Sequence, residues 1–278
     1  INQAKTYFKN NDIDQWQDGY PNEETIEKDI ENNEAYVLEE DGVILGTCMG
    51  AVGEISVSNT VNGRELPIYS VETEAKQVAL SFDATWGNEY MKQILDVLDK
   101  YDVKATFFLT GNWVGKYQED VKQIQLARHD IGNHSENHKA MSQLSKEACK
   151  EEIVSVHEKV KALTGMEMKL FRVPYGDYDD QVIKTAKACG YEVIQWSIDS
   201  QDWKDYGKES IVKTILKNKE LKSGAIILMH SGAKYTKDAL ESVILGLREQ
   251  GYELVPVSEL IYKENYHLDV TGRQIKNK

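Results

Sequence analysis

QVALSFD, residues 77–83, is an apolar run that ends on a carboxylate, and Ala84, Thr85 and Trp86 follow it. A run without polar alternation fits a strand covered on both faces, as inside a parallel sheet. An acid at the tip of such a strand is unfavourable to bury unless a partner or a function holds it there. The stretch therefore requires a sheet around it and groups that face Asp83.

Both are readable downstream. Apolar runs recur at KATFFLTG (104–111), DIGNHS (130–135), LFRVPY (170–175), YEVIQWSID (191–199), GAIILMHS (224–231) and YELVPVS (252–258). Amphipathic stretches lie near 88–101, 114–127, 145–164, 179–189, 208–221 and 236–250. The one at 145–164 shows the helical period. Ala148, Ile153, Val156, Val160 and Leu163 make an apolar stripe among Lys and Glu, and Gly165 stops it. Strands alternating with helices in this number predict an α/β chain whose parallel sheet is closed or nearly closed into a (β/α) barrel.

The residues with chemistry sit at the ends of these runs: Asp83, His134, Arg172 to Tyr175, Asp199 and His230. In a β/α barrel the C-terminal strand ends form the mouth where sites are built. His134 and His138 in HSENH (134–138) are spaced i, i+4, which lets two imidazoles reach one ion. Arg172 in RVPYG (172–176) offers a rigid guanidinium fork that can hold a carboxylate. DSQDW (199–203) adds two acids and an indole, and His230 beside an acid such as Asp199 becomes a general acid. Each motif alone reads as easily as a core histidine or a structural Arg–Asp pair. Their order and shared placement carry the functional reading.

Composition bounds the partners. A chain of 278 residues, 41% hydrophobic and 28% charged, suits a globular protein with a full core. A net charge of −13 argues against nucleic acid, which needs a basic face. No apolar stretch reaches the roughly eighteen residues needed to span a bilayer. Residues 1–50 hold 3 Lys/Arg and 12 Asp/Glu, against 30 and 34 in the remainder, so the opening is compositionally foreign to the rest. Cys48, Cys149 and Cys189 form no C-x-x-C pair and read as buried free thiols.

In this order, SFDA (81–84), HSENH, RVPYG, DSQDW and IILMH (226–230) resemble the five signature motifs of the polysaccharide deacetylases, carbohydrate esterase family four, with the NodB-homology fold. SFDATWGNE (81–89), preceded by RELPIYSVET (64–73), resembles the branch found in spore-forming Gram-positive bacteria. The resemblance covers about residues 70–262. It implies a distorted β/α barrel that removes acetyl groups from N-acetylglucosamine-containing polymers, with peptidoglycan as the expected substrate. It also implies a monomer outside the cell or in its envelope, any signal or anchor lying beyond this chain, which opens on Ile1. Carried over by position, Asp83 would be the general base, oriented by Arg172. His134 and His138 would hold a divalent metal, zinc or else cobalt or nickel. The backbone N–H of Tyr175 would face the oxyanion. His230 would be the general acid, tuned by Asp199. Trp203 and Leu228 would line the groove for the acetyl methyl. His129, His157 and His267 are left as surface or structural residues.

The pattern is broken once. Where the family has Asp-Asp this chain has Asp83-Ala84, so the third metal ligand is missing. Water, substrate, Asn88 or Glu89 completes the coordination, or the enzyme works with little tightly held metal, or the barrel binds glycan without cutting it. The intact remainder favours an enzyme, with a glycan-binding homologue as the alternative. Upstream, residues 13–47 read as loop, acidic helix and a hairpin, YVLEEDGVILGT (36–47), turning at Asp41-Gly42. This resembles the opening of a GNAT-type N-acetyltransferase, but no Q/R-x-x-G-x-G/A phosphate loop occurs, so no acetyl transfer is expected. VILGTCMGAVG (43–53) equally suits the remnant of a membrane anchor. The expected organisation is an acidic extension at 1–50, a linker at 51–70, a deacetylase domain at 71–265 and a tail at 266–278.

Overall fold

The computed structural model describes residues 35–40, 43–49 and 57–277. The chain divides into two units, Ile1–Ile55 and Ser56–Lys278. In the first, Ala35–Glu40 and Val43–Met49 pair antiparallel, as the hairpin reading expects. The helix expected before them, the turn at Asp41-Gly42 and the segment 50–56 lie outside the described residues.

The second unit is organised by Gln77–Ala84 (β1), buried from Val78 onward. Around it run Thr106–Leu109 (β2), Asp130–Asn133 (β3), Leu170–Phe171 (β4), Glu192–Val193 (β5), Ile198–Asp199 (β6), Ile226–His230 (β7) and Glu253–Leu254 (β8). They pair in parallel in the order β5-β4-β3-β2-β1-β7-β6, and β8 pairs with the start of β1. Strand alternation then sorts β1. Val78, Leu80, Phe82 and Ala84 join the larger core, shared with the helices. Ala79 joins a smaller cluster inside the curled sheet with Ile68, Phe108, Leu170, Ile194 and Ile226. Ser81 and Asp83 continue that inner row toward the mouth.

The run at 191–199 is not one strand but two, and β5 and β6 lie at opposite edges of the sheet. Residues 194–197 cross between them. Gln195 N–H donates to Ile68 O at 2.7 Å, Ser197 N–H to Ile226 O at 3.0 Å, and Ile68 N–H to Val193 O at 2.8 Å. The barrel thus closes around an inserted segment instead of a β5–β6 ladder, which is its distortion.

Among the described residues the helices are Met91–Lys100 (α1), Gly111–Lys116 (α2), Gln118–Leu126 (α3), Lys146–Thr164 (α4), Asp180–Ala188 (α5), Lys208–Leu216 (α6), Thr236–Glu249 (α7) and Val257–Leu260 (α8). Helix α4 begins where Ser145 Oγ accepts the Ala148 N–H and ends at Gly165, φ 72°. Cys149 rather than Ala148 joins its buried face, and Glu152 is buried there too. The single helix expected over 114–127 is broken at Tyr117 (φ −123°, ψ 52°) into α2 and α3. Helix α6 stops at Leu216, short of the expected 221. The expected linker and tail are structured where described. Val57–Ser58, Ser70–Val71, Tyr266–Leu268 and Arg273–Lys276 form a four-stranded sheet that buries Tyr266 and Gln274 completely. Cys149 is buried and Cys189 half-buried, both free. Among the described residues no helix is long and apolar enough to cross a membrane.

Candidate active site

Parallel pairing sets His230 of β7 directly beside Asp83 of β1, so an imidazole and a carboxylate share the mouth. Asp83 is 4% exposed, and its Oδ1 accepts a hydrogen bond from Arg172 Nη1 at 2.8 Å. Arg172 leaves β4 fully buried and is over-determined. Its Nη2 donates to Ser81 Oγ at 2.9 Å and to Gln195 O at 3.1 Å, and its guanidinium lies 4.1 Å above the Phe108 ring. Ser81 is itself anchored, donating to Ile227 O at 2.7 Å. Burial works to raise the pKa of Asp83, but the facing His134 and Arg172 outweigh it and hold the carboxyl below its usual range. Burial pushes His134 down toward the neutral form, so Arg172 is the permanent counter-charge.

The two histidines come from the loop after β3. Asn133 Oδ1 accepts the Ser135 N–H at 2.9 Å, and Ser135 Oγ accepts the His138 N–H at 3.0 Å. Ser135 (φ 65°) and His138 (φ 54°) both take left-handed backbone, a strain this loop's hydrogen bonds retain. The rings meet edge to face, 4.8 Å between centroids. His134 Nδ1 lies 2.7 Å from Arg172 O, the contact that assigns the Nδ1–H tautomer, and Nε2 lies 3.3 Å from Asp83 Oδ2. Burial together with the neighbouring His134 lowers the pKa of His138 to about 4.

Across the mouth, the acid in contact with His230 is Asp202, and Asp199 acts from further away. Asp199 spends its Oδ1 on the N–H of Gln201, 2.7 Å away on an exposed turn, and reaches His230 only as a more distant charge. The contact comes from Asp202, fully buried, whose Oδ1 lies 2.8 Å from His230 Nδ1 and whose Oδ2 accepts the His230 N–H at 2.7 Å. Thr236 Oγ1 donates to the same Oδ2 at 2.6 Å. Gln201, in left-handed backbone (φ 57°), reverses the chain so that the second acid of DSQDW points inward. Burial works to lower the pKa of His230, but Asp202 and then Asp83 raise it above the ordinary value. The signal for Asp202 was present as an acid three residues past the strand end, and only the fold distinguishes it from Asp199.

The remaining expected residues fall as follows. Tyr175 stands at φ 60° in the bend after β4, its ring edge-on to His138 at 4.4 Å and 70% exposed. Leu228 is buried two residues before His230, and Trp203 is half-exposed beside Asp202. His129, His157 and His267 are engaged elsewhere: with Ala105 N–H, with Tyr191 and Glu167, and with Asn277.

A hydrolytic metal site of three protein ligands does not fit these residues. Ala84 supplies no donor and is fully buried in the larger core. Asn88 donates to Asp120 at 2.7 Å, and Glu89 folds against Gly87. Among the described residues no group of three or more His, Cys, Asp or Glu is placed to hold an ion. What the arrangement offers is a buried carboxylate with a fixed cation, facing a histidine with raised proton affinity.

A family model described as polysaccharide deacetylase matches residues 70–194. A peptidoglycan-N-acetylglucosamine deacetylase of Bacillus cereus is 39% identical over 198 residues, 69% of this chain and 92% of that protein. The uncharacterized protein YlxY of Bacillus subtilis is 36% identical over 195 residues, 70% of this chain, which spans 60% of YlxY's length. Among solved structures, a CE4 family pseudoenzyme from Bacillus anthracis matches with a TM-score of 0.68 at 35% identity, over 70% of this chain and 68% of that one. A mutant of that pseudoenzyme with restored enzymatic activity matches with a TM-score of 0.67 at 36% identity, over 70% and 71% of the two chains.

Proposed function

The chain belongs to the polysaccharide deacetylase family, CE4, and from that premise we propose that it removes acetyl groups from N-acetylated amino sugars of a cell-wall polysaccharide, peptidoglycan N-acetylglucosamine first. The observation that carries the reading is the in-register pair of Asp83 and His230, each held by its own opposite charge. Asp83, kept ionised by Arg172, accepts a proton from the attacking water. The oxygen of that water bonds to the acetamide carbon, and the N–H of Tyr175 donates to the oxyanion that forms. His230, kept protonated by Asp202, passes its proton to the nitrogen as the C–N bond breaks, leaving acetate and an amine. Leu228 and Trp203 line the groove for the methyl, and Asp199 adds a distant negative charge near His230.

The family resemblance implies a divalent metal that polarises the carbonyl and acidifies water. Zinc, cobalt or nickel would be held by His134 and His138 alone, and for want of a third side chain those two residues would hold it weakly. All the proposed site residues lie in one chain, so the acting species is taken as a monomer, working at the cell envelope. Ala84 favours a second reading, a barrel that binds glycan without cutting it. The two separate on Asp83→Asn. An enzyme loses acetate release while its glycan affinity stays, and a binder has no release to lose.

A further inference from the structure

Four Trp and Tyr side chains stand exposed among the described residues: Trp86, Tyr175, Trp203 and Tyr206. All four follow C-terminal strand ends at the mouth. Single exposed aromatics need no explanation, but a cluster at one mouth does. Trp86 differs from the rest in what it covers. Its indole stacks on the His230 imidazole, centroids 5.3 Å apart and planes 29° from parallel, yet 45% of the residue remains exposed.

The loop carrying Trp86 is held from three sides. Gly87 turns in left-handed backbone (φ 59°), and its carbonyl accepts Trp113 Nε1 at 2.7 Å. Asn88 ties the loop to Asp120 on α3. On the far side the chain after β7 comes flush against the tryptophan. A Cβ added at Gly232 would lie 2.3 Å from Trp86 O and 2.7 Å from its Nε1. Shape therefore fixes the indole over the imidazole. A side chain whose only task was to shield His230 would not need to leave nearly half its surface in water.

We propose that the open face of Trp86 is a binding platform for a pyranose ring of the substrate glycan. The C–H face of a pyranose is apolar and flat and needs no charge to sit on an indole. A ring placed there lies against the residue assigned to protonate the leaving nitrogen, so the platform would position the reacting unit and select for polymer over free acetamide. This rests on the deacetylase reading for its choice of ligand, but it is a claim about binding and does not require turnover.

The test titrates an N-acetylglucosamine tetramer into the native protein, Trp86→Ala, Trp86→Phe and Gly232→Ala, with acetate release followed alongside. Affinity should fall about tenfold in Trp86→Ala, the order expected for truncating a central aromatic contact. Trp86→Phe should stay within about threefold of native, since a smaller ring still offers a face. Gly232→Ala should lose affinity although Trp86 is still present. If Trp86→Ala fails to fold, the Phe and Gly232 variants carry the comparison. Equal affinity in native and Gly232→Ala or Trp86→Ala overturns the inference, as does a native protein that binds no tetramer. So does a Trp86→Ala that lowers kcat with KM unchanged, which would make the indole only a shield. Trp86-dependent binding without any acetate release overturns the deacetylase reading alone.

Discussion

Removing Arg172 would leave the Asp83 carboxylate buried without its permanent counter-charge. Arg172→Met is therefore expected to lose about 3–5 kcal/mol of stability, seen as a lowered denaturation midpoint in urea; a loss near zero would show the pair to be dispensable. The His230–Asp202 pair predicts a pH effect with a definite sign. Asp202 raises the proton affinity of His230 against the opposing pull of burial. Asp202→Asn should therefore let the proton go at lower pH and move the alkaline limb of the acetate-release profile downward. Asp199→Asn should move it less, and a reversed order would contradict the assignment. Asp83, His134, Arg172 and His230 could be singled out because each stands at the end of an apolar run, where a polar group needs a reason, and His138 because it lies four residues from His134. Asp202 was not, because its approach depends on the left-handed turn at Gln201, which no spacing rule announces. Ala84 was legible as a missing ligand, but its place in the larger core was not.

Among the elements, β7 is the one whose placement sets the site, and its start is tightly constrained. Gly224 sits at φ 82°, and a Cβ there would lie 1.7 Å from the Val71 carbonyl oxygen. Gly224→Ala is expected to cost more than about 3 kcal/mol, read as a drop in Tm, whereas an unchanged Tm would mean the β7 start is free to move. Helix α4 could be read from end to end because its cap, stripe and stop all lie within one segment. The crossing at 194–197 could not. Val193, Ile194 and Gln195 are buried on one side of the crossing and Ile198 on the other, so hydropathy runs through them as one strand. The break at Tyr117 was hidden for a related reason, since apolar residues on both sides of it keep helical spacing. The strands at 266–268 and 273–276 are too short for a pattern and exist through pairing with residues 57–58 and 70–71.

The whole chain carries a further pH signature away from the site. His129 is buried with its Nδ1 accepting the Ala105 N–H, and burial, with Lys104 nearby, lowers its pKa to about 4 from an ordinary 6.5. The fold therefore favours the neutral ring. Its contribution is present above pH 6.5 and is lost as pH falls toward 4, because the unfolded chain takes up the proton first. His129→Asn keeps an acceptor and removes the titration, so its Tm should fall less between pH 7 and pH 5 than the native Tm; parallel curves would contradict this. The central claim concerns the mouth of the barrel, where Asp83 and His230 are the proposed base and acid and Ala84 offers no metal ligand. It is tested most directly by acetate release from purified peptidoglycan and N-acetylglucosamine oligomers. The assay uses the native protein, Asp83→Asn and Ala84→Asp, after chelation and again with zinc, cobalt or nickel restored. The account predicts release by the native protein that Asp83→Asn abolishes, with Ala84→Asp holding metal more tightly. No release from the native protein under any condition, with release from Ala84→Asp, would contradict it.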